Sequence, residues 1–198
     1  MKKEHPPSPL SNAEKKERIA HNVREILEVL GLDLTDPSLE KTPSRVASMY
    51  VDEIFSGLNP NSFPPITLIN QDPSITEIVI VKKIFLISFC EHHLVPMVGM
   101  AHVAYLPKGK VLGLSTIHQI VRYFAKRPQL QERLTAQIAL SLAEVLGVED
   151  VAVSTIAKHY CVIARGVEDS GSETETHVLR GVFEKDPTYR ASFFQSVT

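Results

Sequence analysis

The chain has 198 residues, and 21 Lys and Arg against 23 Asp and Glu leave a formal charge of −2 at pH 7. This near balance excludes a generally basic protein that binds nucleic acid. Hydrophobic residues form 43% of the chain and charged residues 22%, which excludes a disordered protein, and no apolar run approaches the roughly 18 residues that span a bilayer. We therefore expect a folded, cytoplasmic protein with no membrane and no nucleic-acid partner.

Helix signals dominate the first third of the chain. Residues 1–10 are polar and rich in proline, which predicts a flexible arm. Ser11 and Glu14 have the spacing of a capping box and predict a helix start, followed by an apolar stripe. The dipeptide Thr42-Pro43 predicts a second helix, with a capping hydroxyl and a proline in the first turn. We assign residues 11–60 to an N-terminal helical segment.

Strand signals dominate the rest of the chain and flank a central helical stretch. Strands are predicted over 66–69, 78–81, 84–88, 102–106, 151–163 and 178–183. Helical periodicity covers 115–146, where Arg127-Pro128 divides two helices, and Asp186-Pro187 begins a short final helix. Strands on both sides of a helix pair predict an α+β domain with an antiparallel sheet over 61–198.

Both cysteines of the chain lie in short segments that also contain histidine. Cys90 and His93 are three residues apart, so one turn can bring both to a single ion, and thiolate and imidazole are preferred zinc ligands. If 151–163 is a strand, its two-residue period places His159 and Cys161 on one face, where Cys161 completes the site. Three ligands leave a fourth position for water, which is typical of catalytic zinc. Alternatively, the cysteines are small buried hydrophobes and the histidines are ordinary core or surface residues.

Two further segments contain candidate binding residues. Glu132, at a predicted helix start, offers a carboxylate that can accept two hydrogen bonds from adjacent donors such as the ring and amino N–H groups of guanine. A solvated helix residue is the alternative. Arg165 precedes a turn rich in hydroxyl and acidic groups, for which an exposed hairpin loop is the alternative reading.

Several of these segments resemble one family closely, GTP cyclohydrolase I, and the similarity runs from about residue 15 to 195. The matching segments stand in the family's order: Thr42-Pro43-Ser44-Arg45-Val46, Cys90-Glu91-His92-His93, Gly113-Leu114-Ser115, Gln131-Glu132-Arg133-Leu134-Thr135, His159-Tyr160-Cys161 and Ala164-Arg165-Gly166-Val167. The resemblance implies a tunnelling fold (T-fold), in which antiparallel sheets of several subunits close into a β-barrel with helices outside. It also implies a homodecamer of two pentamers with active sites at subunit boundaries.

The resemblance further implies an activity and its residues. The activity is zinc-dependent opening of the guanine imidazole ring of GTP, release of formate and rearrangement to 7,8-dihydroneopterin triphosphate. The implied zinc ligands are Cys90, His93 and Cys161. The implied proton-transfer residues are His92 and His159. The implied substrate contacts are Gln131 and Glu132 at the pyrimidine edge, and Ser115, Arg165 and Arg45 at the ribose and phosphates.

Some cations that the resemblance would assign to the triphosphate are absent. Four positions where the family commonly has Lys or Arg hold other residues: Ser48, Met100, Thr116 and Gln119. The roughly four negative charges of GTP need several charge-assisted contacts. Other cations that could compensate are Arg122, Lys126 and Arg127. Three hypotheses therefore stay open: a GTP cyclohydrolase I, a paralogue acting on a less phosphorylated or unphosphorylated guanine-type substrate, and a non-catalytic pterin- or purine-binding subunit.

Overall fold

The computed structural model describes residues 8–74 and 76–197, and the chain forms two compact units that divide between Ser62 and Phe63. Most of the predicted arm lies outside the described residues. The helices of the first unit are α1 (Asn12–Val29), α2 (Thr42–Ser48), a π-helix (Met49–Ile54) and two 3₁₀ turns (Ser56–Leu58 and Pro60–Ser62). No helix in the described part of the chain is both long and apolar enough to cross a bilayer.

The two predicted helix starts of the first unit differ in their caps. At α1 the capping box is confirmed, because Ser11 Oγ accepts from the Glu14 N–H at 3.3 Å and the Glu14 carboxylate accepts from the Ser11 N–H at 2.8 Å. At α2 the predicted capping hydroxyl is wrong. Lys41 occupies the cap position, Thr42 is already helical, and no side chain caps this end.

Within its described residues, the second unit contains seven strands and five helices. The strands are β1 (Leu68–Asn70), β2 (Val79–Cys90), β3 (Pro96–Tyr105), β4 (Lys110–Leu112), β5 (Pro128–Gln129), β6 (Val151–His159) and β7 (Thr174–Leu179). The helices are α3 (Leu114–Ala125), α4 (Gln131–Leu146), α5 (Tyr160–Ile163), α6 (Val182–Lys185) and α7 (Pro187–Val197). The predicted α+β class is therefore confirmed, with the helix pair α3 and α4 between the strands.

A five-stranded sheet with the order β5-β2-β3-β6-β7 organises this unit, and β1 pairs separately with β4. As predicted, the strands of this sheet pair antiparallel, except that β2 and β5 form a short parallel pairing at the edge. The two strands predicted over 78–81 and 84–88 are one strand with a bulge. Val81 pairs with Val103 and Ile84 with Ala101, and Lys83 between them has φ of 56°.

Each face of the sheet carries its own cluster of buried apolar side chains. One face packs under α3 and α4, with core residues that include Ile84, Leu86, Val103, Tyr105, Ile117, Val121, Ile138 and Leu142. The opposite face is covered at one end by α6 and α7, with core residues that include Ala104, Ala152, Phe183 and Phe193. The helix pair α3 and α4 therefore covers one face of the sheet, while part of the opposite face stays exposed.

Two predicted strands end earlier than their sequence pattern indicates. The strand predicted over 151–163 stops at His159, because its neighbours stop: His159 pairs with Met97 near the start of β3, and β7 pairs no further than Ala157. The chain then turns into α5. The strand predicted over 178–183 is β7, and it is followed by Gly181 with φ of 59° and by α6.

Candidate metal centre and active site

A tight hairpin between β2 and β3 presents the Cys-Glu-His-His segment. Cys90 is the last residue of β2, and its N–H and C=O bond to Val95 O and the Leu94 N–H at 2.9 and 2.8 Å. Leu94 has φ of 54°, so the chain reverses sharply after His93. The hairpin is anchored to the sheet edge because the Glu91 N–H donates to Gln129 O at 3.0 Å.

Three side chains converge beside this hairpin. One ligand atom each from Cys90, His93 and Cys161 lie within 4.8 Å of one another, and no second group of this kind occurs among the described residues. Cys90 Sγ lies 3.9 Å from His93 Nδ1. Both cysteines are free thiols. Two sulfurs and one imidazole nitrogen at this spacing form a donor set that could hold a metal ion.

Cys161 reaches the group by a route that differs from the predicted one. It lies in the short helix α5, not on a strand face shared with His159, so the two-residue alternation does not place it. Burial raises the pKa of the Cys161 thiol, and the neighbouring Cys90 raises this pKa further, while Arg165 opposes the shift. A metal ion binding here must therefore displace a proton from Cys161.

Arg165 contacts the outer nitrogen of the candidate ligand His93. Its Nη1 lies 2.7 Å from His93 Nε2. A guanidinium can only donate, so His93 Nε2 accepts and His93 Nδ1 is the nitrogen that faces the Cys90 sulfur. His92, the neighbour in the hairpin, also places Nδ1 close to Cys90 Sγ, at 3.8 Å, but is not part of the converging group.

His159 ends β6 and is held by Gln131. Its Nε2 lies 2.7 Å from Gln131 Oε1. The amide nitrogen of Gln131 donates to the carbonyl oxygens of Thr155 and Thr174 at 3.0 and 2.8 Å, so both of its hydrogens are used. The amide orientation is thereby fixed, Oε1 must accept, and His159 carries its hydrogen on Nε2 with a lone pair on Nδ1.

Burial also sets the charge of His159. Desolvation lowers the pKa of this imidazole, and the nearby carboxylate of Glu132 partly opposes the shift. The imidazole is therefore neutral at pH 7. A neutral histidine with an available Nδ1, close in the chain to Cys161, is suited to accept a proton.

The remaining predicted site residues lie in different surroundings. Glu132 is exposed in the first turn of α4, and Ser115 is exposed in the first turn of α3. Arg45 is exposed on α2, in the other compact unit. Gln131 is only 3% exposed, and the polar atoms of its side chain all have protein partners.

The positions that lack the expected cations are not equivalent. Thr116 is 1% exposed, so a lysine there would start from a buried position, whereas Gln119 is exposed on the same helix. Further along α3, Arg122 and Lys126 line a cavity of about 210 Å³ together with Phe85, Leu86, Ile87 and Ala125. The Arg127 guanidinium lies over the Tyr123 ring, 4.5 Å from its centroid.

Sequence reasoning missed two groups next to the site. Arg133, in the first turn of α4, forms an ion pair with Glu91 of the hairpin. Thr135, Thr155 and Thr176 bring their hydroxyls together beside Gln131. The sequence signal for the threonine group is weak. The four-residue spacing of Gln131 and Thr135 is visible in the sequence, but the approach of Thr155 and Thr176 depends on the register between β6 and β7.

Comparison with known proteins places the chain. The family model for GTP cyclohydrolase I matches residues 19–198. A GTP cyclohydrolase 1 from Vibrio vulnificus is 54% identical over 191 residues, which cover 96% of this chain and 88% of that protein. Proteins of the same name from Photobacterium profundum and Aeromonas salmonicida are each 55% identical, over 95% and 93% of this chain and 87% and 84% of those proteins. Because the family model matches residues 19–198 and these relatives share more than half of the residues over nearly the whole sequence, the chain belongs to the GTP cyclohydrolase I family.

Proposed function

We propose that the protein is a zinc-dependent GTP cyclohydrolase I. It opens the imidazole ring of the guanine base by hydrolysis, releases formate and forms 7,8-dihydroneopterin triphosphate. The observation that carries this proposal is the convergence of Cys90, His93 and Cys161 within 4.8 Å of one another. The 54% identity to named GTP cyclohydrolase 1 proteins supports the choice of GTP as substrate.

Zinc is the metal that the donor set fits best. Two thiolates and one imidazole suit zinc, and three protein ligands are typical of its catalytic sites. When bound, zinc acts as a Lewis acid and lowers the pKa of a water molecule to about 7. We assign Cys90, His93 through Nδ1, and Cys161 as its ligands, because these atoms face one another.

We assign proton transfer to His159 and His92. Hydrolytic opening of the guanine ring requires removal of a proton from the attacking water and delivery of a proton to the leaving ring nitrogen, and general acid–base groups with a pKa near neutrality do both best. His159 is neutral and holds Nδ1 free of its own hydrogen, since Gln131 fixes the hydrogen on Nε2. His92 lies in the hairpin beside the metal ligands, where it is the second candidate.

We assign the guanine base to the start of α4. The pyrimidine edge of guanine offers two adjacent donors and one carbonyl acceptor. The exposed carboxylate of Glu132 can accept from both donors. Because the side chain of Gln131 is engaged, its contribution to the base is its backbone N–H, which is among the amides at a helix start that lack an intrahelical partner.

We assign the ribose and phosphates to Ser115, Arg165 and Arg45. Arg165 donates to His93 Nε2 in the described structure. An imidazole whose Nδ1 lone pair is engaged carries its hydrogen on Nε2, where it cannot accept from a guanidinium. Engagement of His93 Nδ1 therefore releases Arg165, which can then bind an anion.

We also infer a homo-oligomer, a decamer of two pentamers, that works in the cytoplasm. Within the described residues, β2 has no strand partner on its outer side before Phe89. On the open face of the sheet, Phe85 is 61% exposed and pairs with the exposed Met100. A free strand edge beside exposed apolar residues favours association. The two free thiols suit a reducing compartment. A monomeric mass by light scattering would contradict the oligomer.

The function is tested by giving the zinc-loaded protein GTP, GMP, guanosine and guanine in parallel. Formate release and the fluorescence of the oxidised pterin are measured, with Cys161→Ala as the inactive control. We expect formate from GTP. Turnover of only the less phosphorylated substrates would instead identify the paralogue, and no turnover of any substrate by a folded, zinc-loaded protein would favour the binding subunit.

A further inference from the structure

Three threonine hydroxyls meet at the interface between α4 and the sheet. Thr135 lies on α4, Thr155 on β6 and Thr176 on β7. Their Oγ1 atoms are 2.7 Å apart for Thr135 and Thr155, 2.7 Å for Thr135 and Thr176, and 2.8 Å for Thr155 and Thr176. Thr135 and Thr155 are fully buried. We call these three residues the hydroxyl cluster.

The hydrogen bonds of the hydroxyl cluster have a direction. Thr135 Oγ1 donates to Gln131 O at 2.9 Å, so its one hydrogen is used. Thr135 can then only accept, and because Thr155 and Thr176 have one hydrogen each, at most two of the three contacts in the cluster are hydrogen bonds at one time. In each such arrangement that links all three hydroxyls, the bonds lead through Thr135 to the backbone carbonyl of Gln131. Such chains polarise each bond and strengthen one another.

A second set of contacts joins Gln131 to β6 and β7, the two strands that carry Thr155 and Thr176. The side-chain amide of Gln131 donates to Thr155 O on β6 and to Thr174 O on β7. Both the backbone and the side chain of Gln131 are therefore fixed by β6 and β7. His159 lies on the same face of β6 as Thr155, four residues further on, and its imidazole bonds to Gln131 Oε1.

Packing alone does not require hydroxyls at these positions. Valine has nearly the shape of threonine, and replacing all partners of a buried hydrogen-bonded group by apolar groups of the same shape can be almost neutral for stability. Most buried residues around α3, α4 and the sheet are apolar. Three hydroxyls placed together in this interface therefore point to a requirement for orientation.

We propose that the hydroxyl cluster positions His159 for proton transfer. Thr135, Thr155 and Thr176 hold the first turn of α4, so that Gln131 keeps the imidazole in one orientation, with Nε2–H toward Oε1 and Nδ1 free. They are positioning residues, since they act through Gln131 and do not touch the substrate. The kinetic consequence rests on the proposed function, whereas the orientation of His159 does not.

The first test compares Thr155→Val, which removes the hydroxyl, with Thr155→Ser, which keeps it. Ser154→Ala is the matched control, because Ser154 is equally buried on the same strand but faces the other side of the sheet. We expect Thr155→Val to lower kcat for GTP about tenfold, with KM and zinc content unchanged, and Thr155→Ser to recover most of kcat. Equal losses in Thr155→Val and Ser154→Ala would overturn the proposal.

The second test asks whether Thr155 acts through Gln131. Gln131→Ala removes the contact with His159, so adding Thr155→Val to it is expected to lower kcat by less than twofold more. If the two losses multiply, Thr155 acts independently and the proposal is wrong. Thermal unfolding identifies variants that fail to fold, and Thr176→Val, at a less buried position, replaces Thr155→Val in that case.

The third test does not depend on turnover. The ¹⁵N resonances of the His159 imidazole are measured at one pH in the zinc-loaded protein. They report which ring nitrogen carries the hydrogen. We expect a slowly exchanging Nε2–H in the parent protein and in Thr155→Ser, and its loss in Thr155→Val. An unchanged signal in Thr155→Val would refute the positioning role. If the parent protein released no formate from GTP, the proposed function would fail while this measurement still decided the orientation.

Discussion

Each candidate zinc ligand is placed by a different local structure. Cys90 is fixed as the last residue of a strand, His93 by a hairpin that reverses at Leu94, and Cys161 by the turn of α5. His92 and His93 are adjacent in the chain, yet only His93 belongs to the converging group. Adjacent residues in a turn point in different directions, so their roles can be separated by substitution.

His93→Ala is expected to lose the zinc, because one of three ligands is removed. His92→Ala is expected to keep about one zinc per chain and to lower formate release by a factor of about 100 or more, the usual contribution of a general acid–base group. Metal analysis of the two purified variants and formate assays check this prediction. Equal zinc loss in both would show that the two histidines are assigned wrongly.

The three side chains that converge beside the hairpin were predicted from the sequence, but the backbone that presents Cys161 was not. Residue chemistry identifies Cys90, His93 and Cys161, since thiol and imidazole are concentrated in two short segments. The end of β6 depends on where β3 and β7 stop, which no local pattern of β-branched residues reveals. The partner of His159 was likewise hidden, because it depends on the placement of α4 against the sheet.

At the level of elements, the backbones of β3 and β6 approach each other closely at Gly99. Gly99 pairs with Ala157, two residues before His159. A Cβ atom on Gly99 would lie 1.9 Å from the carbonyl oxygen of Ile156 and 2.6 Å from Ala157 Cα. Both are backbone atoms, so the strands themselves would have to separate. The position of His159 therefore depends on the absence of a side chain at Gly99.

Gly99→Ala is expected to lower the free energy of unfolding by about 3 kcal/mol and to reduce kcat, since overpacking displaces β6. Gly171→Ala is the matched control, because a Cβ there meets only Asp169 Oδ1, at 3.4 Å. Urea denaturation at fixed protein concentration measures both variants. A Gly99→Ala protein as stable as the control would contradict the close approach of the strands.

At the scale of the whole second unit, the buried imidazole of His102 links stability to pH. His102 is 3% exposed, and its Nδ1 has no hydrogen-bond partner among the described residues. Burial lowers the pKa of this imidazole, Lys82 and Lys83 on the bulge of β2 lower it further, and Glu175 on β7 opposes them. Folding therefore keeps His102 neutral in a range of pH where the unfolded chain would protonate it.

The free energy of unfolding is expected to fall between about pH 7 and pH 5, because below the unfolded pKa of about 6.5 the unfolded chain binds a proton that the folded chain does not. His102→Gln removes this contribution, so its stability should vary less over the same range. His21→Gln, at an exposed position, should follow the parent protein. Parallel slopes for His102→Gln and the parent would rule out this role for His102.

The register of the central strands has a consequence for how relatives of this protein can differ in length. Side chains alternate between the two faces of a strand. One inserted residue within β3 or β6 would therefore turn His159 away from Gln131 and break the contact between them. Insertions in 106–109 or 166–173, which pair with no strand in the described residues, leave that alternation intact. Natural variation in chain length should therefore be confined to such loops, while the strands between them keep a fixed count.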